Sequence, residues 1–305
     1  MNSLITVSVG VPVYNESTNV EALLLSILRQ KQESYSLEKI IVICDGCTDD
    51  TSSKIIRLKK RYPAIVLIDD DKRIGKKKRL MQIYGKNCSE IIVTFDGDIV
   101  LSDEFVIEKL ISKFKKDQIA IVGANNQPAR PNTLVEKLIV KWTNLWFEVR
   151  KGVNDGDNAH NVRGCSIALR GSFAKSVKFP ENIVSDAKYL YFAAKSQNLG
   201  FEFAQNAVVL YRKPDTISDY LKQTKRAVPD RPLIASMFGD WIYENYKIPF
   251  THKIIVFLRV FASDPIYLTL SLILVYFLKA LPPKNIDNNS SVWQMALSTK
   301  RGIEV

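Results

Sequence analysis

The chain has few cysteines, four among 305 residues, and a chain this long can build a core without disulfide bonds. The first ten residues lack the basic and apolar regions of a secretory signal, so we expect the folded part to lie in a reducing cytoplasm. Cys44 and Cys47 stand at metal-ligand spacing, but no second pair follows nearby. Two ordinary loop cysteines are therefore the main interpretation, and zinc binding is the alternative.

The sequence also lacks internal repeats, low-complexity segments and a nucleic-acid recognition motif. Its formal net charge is +11, and the lysines and arginines that produce this excess are dispersed along the chain. A net positive charge favours acidic partners, such as phosphorylated small molecules or an anionic membrane surface. Because no recognition module accompanies the charge, we do not expect nucleic acid to be a partner.

Apolar segments alternate with amphipathic ones through the first hundred residues. The pattern predicts strands at residues 4–13, 38–44, 64–68 and 90–95, and helices at 19–30, 51–62 and 76–84. Such alternation is typical of a parallel sheet with helices on both faces. Beyond residue 125 the rhythm changes, and the pattern predicts helices at 133–150, 187–198 and 218–228 with strands at 162–169 and 203–211.

Polar residues directly follow three of the predicted strands. Residues 14–16 (YNE) follow the first strand, Asp45 ends the second, and Asp96 with Asp98 follow the fourth. Ligands of parallel sheets bind beyond the carboxyl ends of the strands. The three groups therefore predict one binding site at one edge of the sheet.

Asp96 and Asp98 flank a glycine, which lets the backbone turn tightly enough for both carboxylates to reach one ion. Hard divalent cations prefer oxygen ligands, and Mg²⁺ is often held by one or two carboxylates together with substrate phosphates. The basic run at residues 76–79 (KKKR) can meet a diphosphate. An isolated Asp-x-Asp is more often a solvated turn, but the position after a buried strand favours a site for Mn²⁺ or Mg²⁺.

Seven segments, in the family's order, resemble the family 2 glycosyltransferases of the GT-A fold. They are residues 11–16 (VPVYNE), 44–51 (CDGCTDDT), 73–80 (RIGKKKRL), 96–98 (DGD), 163–166 (RGCS), 179–186 (FPENIVSD) and 223–226 (QTKR). The resemblance spans roughly residues 5–230. It implies an α/β GT-A fold, in which helices flank a Rossmann-like mixed sheet.

The resemblance also implies roles for individual residues. Asp186 matches the general base, Gln223 and Arg163 fall on the acceptor side, and the metal ligands are Asp98 and Asp96. The residues implied for the donor are Pro12, Tyr14, Asn15, Glu16, Asp45, Lys76, Asp96 and Arg226. Two alternatives stay open, because Asp186 can also cap the helix it precedes and Arg226 can lie on a solvated helix face.

Several positions depart from the family pattern. Cys44 stands in place of an acidic residue, and Tyr211 stands where many members carry a histidine that reaches the metal. Ala227 replaces the tryptophan of the processive members, which argues against a processive polymer synthase.

The implied reaction is an inverting, metal-dependent and non-processive transfer of a sugar. The donor is a nucleotide-diphosphate sugar, with a UDP-sugar favoured, and the acceptor is a hydroxyl of a lipid-linked sugar or a polysaccharide. One alternative is a catalytically silent membrane protein of the same fold. Another is a sugar-phosphate nucleotidyltransferase, which would need a glycine-rich, arginine-containing loop where residues 12–16 stand.

The C-terminal part is mostly apolar between residues 253 and 281, and residues 266–278 carry no charge. At about 1.5 Å per residue this uncharged stretch is shorter than the roughly 30 Å bilayer core. It predicts either an interfacial helix with a short span or a hairpin packed on the protein. Membrane contact is favoured, which places the protein at the cell membrane with its catalytic domain on the cytoplasmic side.

We therefore divide the chain into three parts. Residues 1–125 form the donor-binding half and residues 126–230 the acceptor-binding half of one GT-A domain. Residues 231–305 form an interfacial or transmembrane helical region and a polar tail.

Overall fold

The structure is a computed structural model that describes residues 4–225, 231–280 and 297–303. The strands are β1 (Ile5–Val13), β2 (Tyr35–Asp45), β3 (Ile65–Asp70), β4 (Ile91–Phe95), β5 (Ile99–Leu101), β6 (Ile119–Pro128), β7 (Ser166–Arg170) and β8 (Gly200–Tyr211). The helices are α1 (Val20–Leu28), α2 (Thr51–Arg61), α3 (Lys76–Lys86), α4 (Val106–Ile111), α5 (Leu134–Lys151), α6 (Gly171–Ser176), α7 (Asp186–Ser196), α8 (Ile217–Lys225), α9 (Arg231–Phe238), α10 (Phe250–Ser263) and α11 (Pro265–Ala280).

All eight strands belong to one sheet, in the order β3-β2-β1-β4-β7-β6-β8-β5. The first four strands are parallel, as the alternation predicts. The expectation of a wholly parallel sheet is wrong for the second half, because β7 runs antiparallel to both β4 and β6, and β5 runs antiparallel to β8. The mixed sheet implied by the family resemblance is confirmed.

Helices cover both faces of the sheet, as predicted. Apolar side chains of α1, α2 and α4 pack with β1 on one face. Those of α3, α6, α7 and α9 pack on the other face. The boundary drawn at residue 125 falls inside β6, so the two proposed halves share one continuous sheet.

The apolar C-terminal segment folds as two helices, α10 and α11, separated by Asp264. Both pack against α5, and Lys141 of α5 pairs with Asp264 at 2.8 Å. Within the described ranges, no helix has both the length and the apolar content needed to cross a bilayer. The predicted span is therefore not confirmed, and most of the polar tail lies outside the described residues.

Candidate active site

The loops after β1 and β4 pack directly against each other. A Cβ added to Gly97 would lie 2.7 Å from Cγ of Glu16 and 3.0 Å from Cγ1 of Val13, so only glycine fits between the two aspartates. The backbone N–H of Asp96 donates to the carbonyl of Cys165 at 3.0 Å, which ties the same turn to the loop before β7. The predicted meeting of the first and third polar groups is confirmed.

Lys76 lies at the centre of the cluster, at the first position of α3. Its Nζ is 2.6 Å from Oδ1 of Asp96 and 3.1 Å from Oδ2 of Asp186, and it donates to the carbonyl of Gly164 at 2.9 Å. Burial disfavours the ammonium, but the charges of Asp186 and Asp96 outweigh burial and raise the pKa of Lys76. The ammonium of Lys76 therefore links Asp96, in the predicted metal motif, to Asp186, the predicted base.

Asp186 is the first residue of α7, and it is not the helix cap. Ser185 occupies the cap position and its hydroxyl accepts from the backbone N–H of Lys188 at 3.3 Å. The side chain of Asp186 is 15% exposed, and a Cβ added to Gly164 would lie 2.6 Å from its Oδ1. Ser185 thus takes the cap position, while the carboxylate of Asp186 accepts from the backbone N–H of Ala187 at 2.8 Å and faces Gly164 and Lys76.

Asp98 is the carboxylate best suited to a cation. Its pKa is raised to about 6, first by burial and second by the charge of Asp96. Burial likewise raises the pKa of Asp96, against the opposing effect of Lys76. Buried carboxylates whose pKa is raised in this way are stabilised in the ionised form by a bound positive charge.

The carboxylate of Asp45 binds the turn before α3 and the side chain of Arg79. Its carboxylate accepts from the backbone N–H groups of Ile74 and Gly75 at 2.8 and 2.9 Å and from Nε of Arg79 at 2.8 Å. Arg79 is fully buried and also contacts Asp70 at 2.7 Å. These contacts fix the turn that leads into Lys76, whereas the implied contact of Asp45 with a nucleobase stays a prediction.

The loop after β1 presents an aromatic ring and a fixed amide. The guanidinium carbon of Arg73 lies 3.6 Å from the centre of the Tyr14 ring, in a cation–π contact. Asn15 has a positive φ of 50°, and its Oδ1 accepts from the backbone N–H of Thr48 at 2.8 Å. Pro12 is buried in β1 opposite Ile43. The flat ring and the immobilised loop suit the binding of a nucleoside.

A C-terminal segment that no motif or periodicity marked as part of the site contacts this loop. We call residues 297–303 the C-terminal strap. Nζ of Lys300 contacts Oε1 of the buried Glu16 and donates to the carbonyl of Tyr14 at 3.2 Å. Arg301 pairs with Asp215 at 2.6 Å, and Ile303 is buried. The strap thus adds a cation beside the Asp-Gly-Asp turn.

The acceptor-side residues are only partly placed. The guanidinium carbon of Arg163 lies 5.0 Å from the centre of the Tyr211 ring, and the charge of Tyr211 is the main cause of a raised pKa for Arg163. Gln223 lies on α8, and Arg226 lies outside the described residues. A cavity of about 850 Å³ opens elsewhere, between the turn at residues 152–154 and the start of α10.

The model of Glycosyl transferase family 2 matches residues 8–176, more than half of the chain. This chain belongs to glycosyl transferase family 2. Its fold is similar to that of a mannosyltransferase from Pyrobaculum calidifontis, solved in complex with GDP-Man and Mn²⁺, at a TM-score of 0.60. That similarity covers 93% of this chain and 77% of the other at 16% identity, which confirms the predicted GT-A fold.

Two curated relatives of this family 2 chain are similar over shorter stretches. A dolichyl-phosphate beta-glucosyltransferase of Trichomonas vaginalis is 27% identical over 42% of this chain and 43% of its own length. A poly-beta-1,6-N-acetyl-D-glucosamine synthase of Staphylococcus epidermidis is 21% identical over 70% of this chain and 51% of its own length. The chain therefore spans about half the length of the curated relatives it matches.

In this family 2 chain, few other ligand side chains accompany Asp96 and Asp98 among the described residues. Among residues 4–225, 231–280 and 297–303, no group of three or more His, Cys, Asp or Glu side chains could enclose an ion. Asp96 and Asp98 fit a divalent cation that keeps its other positions for phosphate oxygens and water. Tyr211, at the position of the family's histidine, stacks with Arg163.

Proposed function

We propose that the protein is an inverting, non-processive glycosyltransferase that moves a sugar from a nucleoside-diphosphate donor to an acceptor hydroxyl. The observation that carries the proposal is the contact of Lys76 with both Asp96 and Asp186. A donor-side carboxylate and a candidate base are thereby held on either side of one cation. This arrangement suits a transferase, because the departing diphosphate and the attacking hydroxyl must meet at one sugar carbon.

The chain supplies each of the roles that the reaction needs. Tyr14 and Arg73 provide a surface for the nucleobase, and the ammonium of Lys76 can bind the negative charge that develops on the leaving diphosphate. Asp186 removes the proton of the acceptor hydroxyl at Oδ2, which typically contributes about 10²–10⁴-fold to the rate. The bond to the leaving oxygen breaks as the bond to the acceptor oxygen forms, which inverts the configuration at the sugar carbon.

Mn²⁺ or Mg²⁺ held by Asp98 and Asp96 would supply further charge neutralisation for the diphosphate. The burial of the two carboxylates, which raises the pKa of each, supports this assignment. We propose a UDP-sugar as the first donor to test and a GDP-sugar as its competitor, because the similar mannosyltransferase is described with GDP-Man.

Calorimetric titration of UDP, GDP, CDP and dTDP, with and without Mn²⁺, tests the donor site. We expect one nucleotide to bind only with the metal, and this binding to disappear in Asp98→Asn. Asp117→Asn is the matched control, because the side chain of Asp117 is fully exposed and lies beside Arg170, which pairs with the end of β4 opposite the Asp-Gly-Asp turn. Folded protein that binds none of the four nucleotides would contradict the proposal and favour the catalytically silent alternative.

We also propose that the protein contacts a membrane surface and that its acceptor is a lipid-linked sugar or a polysaccharide. Large apolar side chains of α10 and α11 are exposed, among them Phe250 at 73%, Ile255 at 61% and Ile266 at 70%. Exposed apolar faces on two adjacent helices, with basic residues such as Lys253 and Arg259 beside them, are typical of interfacial helices. Contact with the cytoplasmic leaflet agrees with the basic net charge.

Flotation with vesicles tests the membrane contact. Wild type should float with vesicles that contain anionic lipid and less with neutral ones. The double change of Ile255 and Leu258 to Glu should abolish flotation without unfolding the protein, because both side chains are exposed. Ile56→Glu, an equally polar change at an exposed residue of α2, is the control. Equal flotation of the double variant and wild type would contradict a lipid-facing role for α10.

A further inference from the structure

Two of the four cysteines lie at the ends of the turn that closes the donor loop. Cys44 is the last residue but one of β2 and is fully buried, whereas Cys47 is partly exposed. The family pattern has an acidic residue and a serine at these positions, so the pair is a departure by this chain. Two thiols alone do not fill the four positions of a zinc site.

The fold brings the two cysteines to the same place beside Val13. Cys44 lies opposite Val13 in the β1–β2 ladder, and Sγ of Cys47 donates to the carbonyl of the same Val13 at 3.6 Å. Cys44 belongs to the apolar core on one face of the sheet, and Cys47 packs against the same core. Gly46 makes the turn with a φ of +71°, and an added Cβ would lie 2.9 Å from the backbone nitrogen of Arg73. The turn is thus fixed in a form that directs both thiols to the same side of the sheet.

The surroundings give the two thiols different reactivities. The neighbouring Cys44 side chain is the main cause of a lowered pKa for Cys47, and the backbone groups of Asn15 and Asp45 act in the same direction against burial. The neighbouring Cys47 side chain and burial raise the pKa of Cys44. Thiolates are the attacking species in disulfide exchange. Cys47 is therefore suited to attack a reagent from solvent, and Cys44 to resolve the product.

We propose that Cys44 and Cys47 form a reversible disulfide by exchange with a low-molecular-weight disulfide, and that this bond weakens nucleotide binding. The Cys47 thiolate attacks one sulfur of the reagent and displaces the first small thiolate. Cys44 then loses its proton to solvent and attacks the sulfur of Cys47, which displaces the second small thiolate. The protein thiols lose two electrons and two protons, and the reagent becomes two thiols.

The consequence for the donor follows from Thr48, the next residue along the chain. A disulfide holds its two sulfurs about 2.05 Å apart, so its formation draws Sγ of Cys47 toward Cys44 and away from the carbonyl of Val13. Thr48 moves with Cys47, and Thr48 holds Asn15 through bonds of 2.8 and 3.0 Å. Asn15 adjoins the Tyr14 ring, so the nucleoside surface is disturbed. This consequence rests on the proposed function, whereas the dithiol itself does not.

The test exposes the protein to oxidised glutathione and follows two readouts. Peptide mass mapping should show a Cys44–Cys47 disulfide, with the loss of two hydrogens, and dithiothreitol should reverse it. Calorimetry should show nucleotide affinity falling by about tenfold or more on oxidation, which corresponds to about 1.4 kcal/mol. Cys47→Ser should keep its affinity in both buffers, and Cys88→Ser, which removes an exposed cysteine outside the loop, should respond like wild type.

Three results would overturn the inference. They are the absence of the disulfide, an unchanged nucleotide affinity once it has formed, and an equal loss of affinity in Cys47→Ser. If the reduced protein binds no nucleotide, the proposed function fails and the effect on the donor fails with it. Mass mapping still decides in that case whether the two thiols form an exchangeable pair.

Discussion

Replacement of Arg79 by methionine tests how the donor loop is held. The Arg79 side chain is fully buried, and Nε lies 2.8 Å from Oδ1 of Asp45, whose side chain is 7% exposed. Removal of one partner from a buried ion pair typically costs about 3–5 kcal/mol, because a buried charge is left unpaired. Two backbone N–H groups still reach Asp45, at 2.8 and 2.9 Å, so they soften the loss. We therefore expect Arg79→Met to lower the free energy of unfolding by about 3 kcal/mol.

Urea unfolding monitored by tryptophan fluorescence measures this change, with the slope m expected to stay constant. Lys247→Met is the control, because Lys247 and Glu244 form an exposed pair whose loss should change stability by less than about 0.5 kcal/mol. The double variant Asp45→Asn with Arg79→Met should recover part of the loss, since the buried carboxylate is removed together with its cation, while Asp70, the other partner of Arg79, is 34% exposed. A decrease below about 1 kcal/mol in Arg79→Met would refute the reasoning that the pair is buried and coupled.

Three further changes separate the parts of the site. Gly164→Ala places a methyl group 2.6 Å from Oδ1 of Asp186 and should displace this carboxylate. We expect turnover in a rate assay to fall by about a hundredfold, while the nucleotide affinity measured by calorimetry stays the same. Unchanged turnover would contradict the close approach of Gly164 and Asp186. Lys300→Ala removes the cation beside Glu16, so the nucleotide Kd should rise about tenfold with little change in kcat. An unaltered Kd would show that the C-terminal strap does not contribute to the donor site. Lys76→Met should lower both nucleotide affinity and kcat, and Lys76→Arg should restore part of each. A loss of only nucleotide affinity or only kcat would contradict the contact of Lys76 with both Asp96 and Asp186.

The sequence predicted the elements whose signals are local. β1 to β4 and the helices between them begin and end close to the predicted residues, because apolar periodicity marks a buried strand or a helix face. β5 was not predicted, since it has three residues and exists through its pairing with β8. The strand predicted at residues 162–169 begins only at Ser166, because the preceding residues form a turn.

Contacts between distant parts of the chain had no sequence signal. The motifs named Lys76, Asp96 and Asp186 separately, but the shared ion pair exists because β4, α3 and α7 meet at one edge of the sheet. Lys300 joins Glu16 across most of the chain, and neither periodicity nor a motif marked it. Arg79 belongs to the basic run predicted to meet a diphosphate, yet its side chain is fully buried against Asp45.

The most direct test of the account compares Asp186→Asn with wild type in two assays. One assay is metal-dependent nucleotide binding, and the other is release of the nucleoside diphosphate from the donor sugar that calorimetry identifies. The account predicts that Asp186→Asn binds the nucleotide as wild type does and releases product about 10²–10⁴-fold more slowly. Wild-type turnover in Asp186→Asn would contradict the assignment of the base and, with it, the central claim that Lys76 holds donor and acceptor chemistry together.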